Sequence, residues 1–204
     1  MKLKHLCLLV FILGVFISSC NETKEESKYT NWKERNELFI DSIASVYQKN
    51  QDPHLNRIED SRNKGQFIYY KIIEQGSGEE QRPFLTSTVN VYYRGMLIDE
   101  ETINKLIEQG EEPILITKAY KDLKRFDGNF EGINPDVDVE KSLSFTVNKG
   151  LINGFTEVLQ HMHPGDRWEM YIPSNLGYGQ ADNGIIPGSS VLIFDLTLVN
   201  VKEY

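Results

Sequence analysis

The run Val191 to Val201 (V-L-I-F-D-L-T-L-V-N-V) constrains this chain more than any other stretch. It alternates with the period of a strand and is the longest such run, which marks it as a central strand. A second strand-like run, Trp168 to Ile172, precedes it. Between them a glycine-rich loop carries Tyr178 between two glycines and the pair Ile185-Ile186 before Pro187. Apolar side chains and one phenol sit where polar residues are usual, so the loop reads as the rim of a pocket.

Further strands are expected at Phe67 to Ile73, closed by the turn Gly76-Ser77-Gly78, at Val89 to Gly95, ended by its glycine, and at Ser142 to Val147. Ile152-Asn153-Gly154-Phe155 opens a helix whose Phe155, Val158, Leu159 and Met162 share one face, and Pro164-Gly165 terminates it. Arg125-Phe126-Asp127 leads into a Gly/Asn/Pro-rich loop through Asp136. The stretch from Leu97 to Asp122 is less regular, with a candidate helix from Thr102 to Gln109 and an apolar run from Ile114 to Ile116. Strands flanking one strong helix give an α+β domain with an antiparallel sheet wrapped around that short helix.

Ahead of this domain, Trp32, Phe39, Ile43, Val46 and Tyr47 recur at helical spacing between Asn31 and Asn50, with charged residues filling the other side. Thr30 or Asn31 is the expected cap. Asp52-Pro53 interrupts the helix, and a second short helix is expected from Pro53 to about Asn63, ending near Gly65. The apolar stripe either packs on the domain that follows or pairs with a second copy as a homodimer.

The first twenty residues are a separate matter. Lys2 and Lys4 precede an apolar run from Leu6 to Ile17 that ends in Ile17-Ser18-Ser19-Cys20. A basic flank, a short hydrophobic stretch and small residues describe a secretory signal; an uncleaved anchor helix is the competing reading, which the run length barely supports. Ile-Ser-Ser-Cys resembles the lipobox of bacterial lipoproteins. That resemblance makes residues 1–19 a signal peptide, Cys20 a lipidated N-terminus and residues 20–30 a solvated linker. The other cysteine, Cys7, lies inside the signal, so the mature chain keeps no thiol for disulfide, metal or nucleophilic work. The formal charge of −8 becomes −10 when residues 1–19 leave, because they carry two lysines and no acid. So acidic a protein has no electrostatic reason to bind nucleic acid.

Y-Y-R-G (92–95), R-F-D (125–127), Leu151-Ile152 before N-G-F, G-Y-G (177–179), G-I-I-P (184–187) and L-I-F-D-L (192–196) occur in the order and near the spacing of the FKBP family, the macrolide-binding peptidyl-prolyl isomerases. The chain resembles that family from about Gln66 to Tyr204. The extension at 31–65 is similar to bacterial lipoprotein members of the macrophage infectivity potentiator type. The resemblance implies an FKBP-like domain at 66–204, prolyl isomerase activity on proline-containing polypeptides at the bacterial cell envelope, and no cofactor or metal. Carried over residue by residue, it implies a catalytic pocket of Tyr93, Phe126, Asp127, Ile152, Phe155, Tyr178 and Phe194, with Leu143, Leu151, Ile185 and Ile186 binding substrate. In that pattern the Ile152 N–H and the Tyr178 phenol hold substrate carbonyls, Asp127 orients Tyr93, and Ile185-Ile186 forms a flap.

Three positions depart from the pattern. Phe155 stands where the floor is usually Trp, and Leu143 stands where an aromatic wall is expected, with Phe145 two residues along the same face. An insertion, Asp99 to Tyr120, intervenes before Phe126. Singly, Phe126, Leu151, Ile152, Phe155 and Phe194 read as ordinary core and Tyr178 as a turn aromatic; their joint order carries the reading. Two competing functions are a non-catalytic binding module or chaperone using the same groove, and a structural part of an envelope assembly docked through the 31–50 helix. His161-Met162-His163 makes a poor metal site, because the two imidazoles face different ways with no third ligand evident.

Overall fold

A computed structural model describes residues 29–79, 81–98 and 125–203. The expected signal peptide, Cys20, most of the expected linker, the candidate helix Thr102–Gln109, the run Ile114–Ile116 and the expected insertion Asp99–Tyr120 lie outside the described residues.

Helix α1 spans Trp32–Gln48. Asn31 is the N-cap residue, one of the two expected, but it sits in the left-handed region at φ 53° and its side chain makes no capping hydrogen bond. The C-terminal end is better satisfied: the Asn50 N–H donates to Tyr47 O and the Gln51 N–H to Val46 O, both at 3.0 Å. Asn50 takes φ 50° to allow this Schellman closure. The apolar stripe packs in cis on the sheet, where Phe39 meets Tyr171 edge-on at 6.3 Å and Tyr47 meets Tyr69 at 6.0 Å.

The expected helix from Pro53 to Asn63 is instead strand β1, Leu55–Glu59, paired antiparallel with β2, Phe67–Glu74. Leu55 and Ile58 are both buried. Their spacing of three imitates a helix, but in a strand odd spacing puts them on opposite faces, and this strand is covered on both. The remaining elements are β3 (Thr88–Leu97), β4 (Arg125–Gly128), β5 (Leu143–Thr146), helix α2 (Asn153–Leu159), β6 (Arg167–Ile172) and β7 (Leu192–Glu203). Strand β3 runs through Gly95 rather than ending there.

Among the described residues these strands form one antiparallel sheet in the order β1-β2-β6-β7-β3-β4, with β5 also pairing β3. Strand β7 is central, bonded to β6 on one side and β3 on the other. Register shifts in the β2/β6, β3/β4 and β3/β7 pairs increase the local twist, which bends the sheet around α2. Helix α2 lies so close to β6 that a Cβ on Gly154 would stand 2.5 Å from Ile172 Cγ2. A glycine there is a packing requirement, and residues 154–159 are all buried.

The opposite face carries α1 and, beyond it, a buried ion cluster. Arg167 donates to both carboxylate oxygens of Asp195 at 2.8 and 2.7 Å, and Arg94 approaches the same group at 3.3 Å. Burial opposes the charge of Arg167, but the two-pronged bond outweighs it and holds the guanidinium above its ordinary pKa; at Arg94, with its longer contact, burial wins and the pKa falls. The two arginines also grip the loop after β4, at Gly132 O, Ile133 O and Asn134 Oδ1. Because β4 carries Phe126 and Asp127, this cluster anchors one wall of the pocket from behind. No helix among the described residues is long and apolar enough to cross a membrane.

Candidate active site

Strands β3, β4, β5 and β7 and the start of α2 surround a cavity of about 120 Å³, lined by Tyr93, Phe126, Asp127, Phe145, Gly150, Leu151, Ile152, Phe155, Tyr178 and Phe194. Five aromatic rings form its body. Phe155, rooted in α2 and buried, is the hub: it stands edge-on to Phe194 at 5.2 Å, to Tyr93 at 6.0 Å and to Phe145 at 6.5 Å. Tyr93 meets Phe145 at 5.7 Å, and Phe126 meets Phe194 at 5.6 Å. Edge-to-face pairs of this kind add about 0.5–1.5 kcal/mol each beyond area burial, so the cluster holds its shape without charge.

Room for these rings comes from an absent side chain. A Cβ on Gly95 would lie 2.6 Å from Phe126 Cζ and 2.8 Å from Phe194 Cε1. The glycine read in the sequence as a strand terminator is a mid-strand gap that lets Phe126 and Phe194 meet.

The polar edge is organised around Asp127. Tyr93 donates its phenol proton to Asp127 Oδ2 at 2.7 Å, and the Gly128 N–H binds the other oxygen at 2.8 Å. Burial, reinforced by this carboxylate, pushes the Tyr93 phenol well above the ordinary tyrosine pKa. Asn129 fixes the same corner, accepting from the Tyr93 N–H and donating to Val91 O and Lys141 O. Sequence reading passed over Asn129; its only signal was its place directly after R-F-D-G.

Tyr178 stands at the mouth, 42% exposed. Burial first and the nearby Asp127 charge second raise its pKa, and among the described residues its hydroxyl makes no hydrogen bond. Ile152 precedes α2 in extended conformation at φ −66°, ψ 154°, and its carbonyl accepts the Thr156 N–H at 3.0 Å. The loop after β1 braces this turn: Arg62 donates to Asn153 O at 2.8 Å, and Ser61 Oγ to the buried Glu157 at 2.7 Å.

Three expected contributors fall outside the lining. Leu143 lies on the same face of β5 as Phe145 but is 42% exposed, and the aromatic wall is Phe145. Phe145, opposite Val89 on β3, turns its ring onto Tyr93 and Phe155, while Leu143, opposite Val91, stays outside the lining. Ile185 and Ile186 separate: the bridge between Asn183 and Ile186 makes a tight turn, which leaves Ile185 68% exposed and sends Ile186 into the core. The two histidines part as well, His161 toward Glu157 and His163 accepting from Arg82 at 2.9 Å. No group of three or more candidate metal ligands occurs among the described residues.

A second cavity, about 270 Å³, opens between α1 and the sheet. It is larger, but it has polar residues such as Gln66, Ser174 and Asn175 in its lining and no convergence of rings. The smaller pocket is the better candidate because its groups converge on one point.

Residues 79–199 match the FKBP-type peptidyl-prolyl cis-trans isomerase family. The macrophage infectivity potentiator of Trypanosoma cruzi is 26% identical, over 94% of this chain and 81% of its own length. FkpA of Escherichia coli K12, an FKBP-type peptidyl-prolyl cis-trans isomerase, is 31% identical over 66% of this chain. The outer membrane protein MIP of Legionella longbeachae is 30% identical over 67%. The chain spans less than half of these two bacterial relatives, 38% and 45% of their lengths. The crystal structure of E. coli FkpA superposes with a TM-score of 0.55 at 25% identity, covering 86% of this chain and 63% of that one. With a match that covers more than half of its length, the chain belongs to the FKBP-type peptidyl-prolyl cis-trans isomerase family.

Proposed function

We propose that this protein catalyses cis-trans isomerisation of X-Pro bonds through the five-ring pocket. Amide resonance sets a barrier of about 18–20 kcal/mol, so unaided rotation takes tens to hundreds of seconds. No bond breaks and no proton moves. Catalysis needs only a site that favours the twisted amide, which is less dipolar than the planar one and therefore loses less on leaving water.

In this reading the prolyl ring enters against Phe155, walled by Tyr93, Phe126, Phe145 and Phe194. The Ile152 N–H and the Tyr178 hydroxyl hold the flanking substrate carbonyls while the amide between them turns. Asp127 keeps Tyr93 oriented and is not a base. The edge-to-face cluster around a small cavity, with a phenol at its mouth that has no hydrogen bond among the described residues, is the observation that carries this proposal. The test is the cis-to-trans rate of an X-Pro tetrapeptide with residues 21–204 added; a rate equal to that in buffer refutes it.

The same reading sets the protein at a bacterial envelope, assisting exported chains. The leader-like residues 1–19, Cys20 after Ile-Ser-Ser and the relative named for the outer membrane support it. The chain then divides into a signal peptide (1–19), a lipidated Cys20 with linker to residue 30, an extension (31–65) and the isomerase domain (66–204) with its insertion at 99–120. Labelling with an alkyne fatty acid tests the anchor: label retained in Cys20→Ala refutes it.

A further inference from the structure

The loop between Gly177 and Val191 is closed at its neck. Ser189 N–H donates to Gly179 O at 2.8 Å, and a Cβ on Gly188 would lie 2.0 Å from Gln180 O, so the two strands of the neck touch backbone to backbone. Inside it, Gly188 N–H binds the Asp182 carboxylate at 2.7 Å and Asn183 pairs with Ile186. A loop tied to itself in this way moves as one body, and its attitude is set where it rejoins the sheet. Tyr178 sits directly beside the neck, and with no hydrogen bond on its hydroxyl among the described residues its direction follows that backbone.

Helix α1 grips the rejoining end. Trp32 Nε1 donates to Ser190 Oγ at 2.9 Å, and Ser190 Oγ in turn donates to Pro187 O at 2.5 Å. Asn36, fully buried, accepts the Val191 N–H at 2.7 Å, while its own amide nitrogen donates to Trp32 O at 2.7 Å, which fixes the orientation of the amide. Strand β7 begins only at Leu192. The helix therefore supplies the partner for the residue just before the ladder begins. Ser189 holds φ 65°, a left-handed value that a serine adopts at some cost, which fits a joint restrained on both sides.

We infer that Trp32 and Asn36 of helix α1 are positioning residues for Tyr178, acting through Ser190, Val191 and the loop neck. The inference rests on the isomerase reading for its kinetic consequence but not for its geometry. A hydroxyl that must meet a substrate carbonyl loses much of its effect when displaced by a fraction of an ångström. Spatial adjacency alone does not establish coupling, so the test is a double-mutant cycle.

The measurements are kcat/KM on an X-Pro tetrapeptide and thermal midpoints for wild type, Trp32→Phe, Asn36→Leu, Tyr178→Phe and the two double variants. Trp32→Phe, which keeps the ring and removes the donor, is expected to lower kcat/KM about twofold, and Asn36→Leu about fourfold, both within the cost of losing the Tyr178 hydroxyl itself. In the Tyr178→Phe background each is expected to cost less than about 1.5-fold, because the group being positioned is gone. Full penalties in both backgrounds, or no penalty in either, overturn the inference. If Asn36→Leu does not fold, Trp32→Phe decides. A second readout does not need turnover: the ring signals of Tyr178, in protein labelled at tyrosine, are expected to shift in Trp32→Phe, and unchanged signals overturn the inference. An inactive wild type with shifted signals sinks the isomerase reading alone.

Discussion

On the α2 side of strands β3 and β7 the side chains are Tyr93, Phe194 and Leu196; one residue over, on the α1 side, they are Arg94, Asp195 and Thr197. Both faces are buried, yet one is built from rings and the other from ions. The period of two that defines a strand keeps the charges on the far side of the sheet from the cavity. A site that works by being dry and weakly polar tolerates ions next to it in sequence provided the sheet stands between. The ion face holds the β4 loop and so supports the walls; in the proposed reading the ring face meets the substrate.

The sharpest way to break this division is from the ion face. Asp195→Ala leaves Arg94 and Arg167 buried without their carboxylate, and about 3–5 kcal/mol of stability is expected to go. Urea unfolding measures the loss, while kcat/KM per folded molecule should fall only about threefold through the loosened β4 wall; a loss as large as that from the ring face would show that the faces are not separable. On the ring face the order reverses. Gly95→Ala pushes Phe126 and Phe194 apart, and kcat/KM is expected to fall about a hundredfold, with stability changing by only about 1–3 kcal/mol. Tyr178→Phe keeps the ring and removes one hydrogen bond, for an expected drop of about fivefold in peptide turnover. Leu143→Phe, outside the lining, should leave turnover within about twofold; a large gain or loss would return Leu143 to the pocket.

The smallest effect concerns pH. The Tyr93 phenol titrates above its ordinary range, so the stability from its burial and its bond to Asp127 is fully present below the unfolded value of about 10 and is lost only as pH rises through the higher folded value. Thermal midpoints of wild type and Tyr93→Phe should therefore keep a constant difference up to about pH 10. A difference that shrinks from pH 8 upward would refute this assignment.

Much of this was legible in the sequence because strand period and joint motif order are local. Strands β2, β6 and β7, helices α1 and α2, and the cavity residues Tyr93, Phe126, Phe155 and Tyr178 could all be placed in advance. What escaped was decided by pairing across the sheet. Leu143 and Phe145 lie on the same strand face, and only the packing across the sheet, where Phe145 meets the rings of Tyr93 and Phe155, says which one lines the pocket. The stretch from Pro53 to Asn63 read as a helix from its proline and closing glycine, because a strand buried at both Leu55 and Ile58 hides its period of two. Gly95 looked like a terminator because the rings that need its emptiness come from residues 126 and 194. Asn36 sits on the buried side of a helix otherwise read as apolar stripe and charged back, and its partner Val191 lies far along the chain.

The five-ring pocket also has a calorimetric consequence. Water inside a small cavity walled by ring edges and faces finds few hydrogen-bond partners, so expelling it releases heat instead of freeing ordered solvent. Seating a prolyl group there should be enthalpy-driven at room temperature, with a negative heat-capacity change. Titration calorimetry would then see binding grow more exothermic on warming.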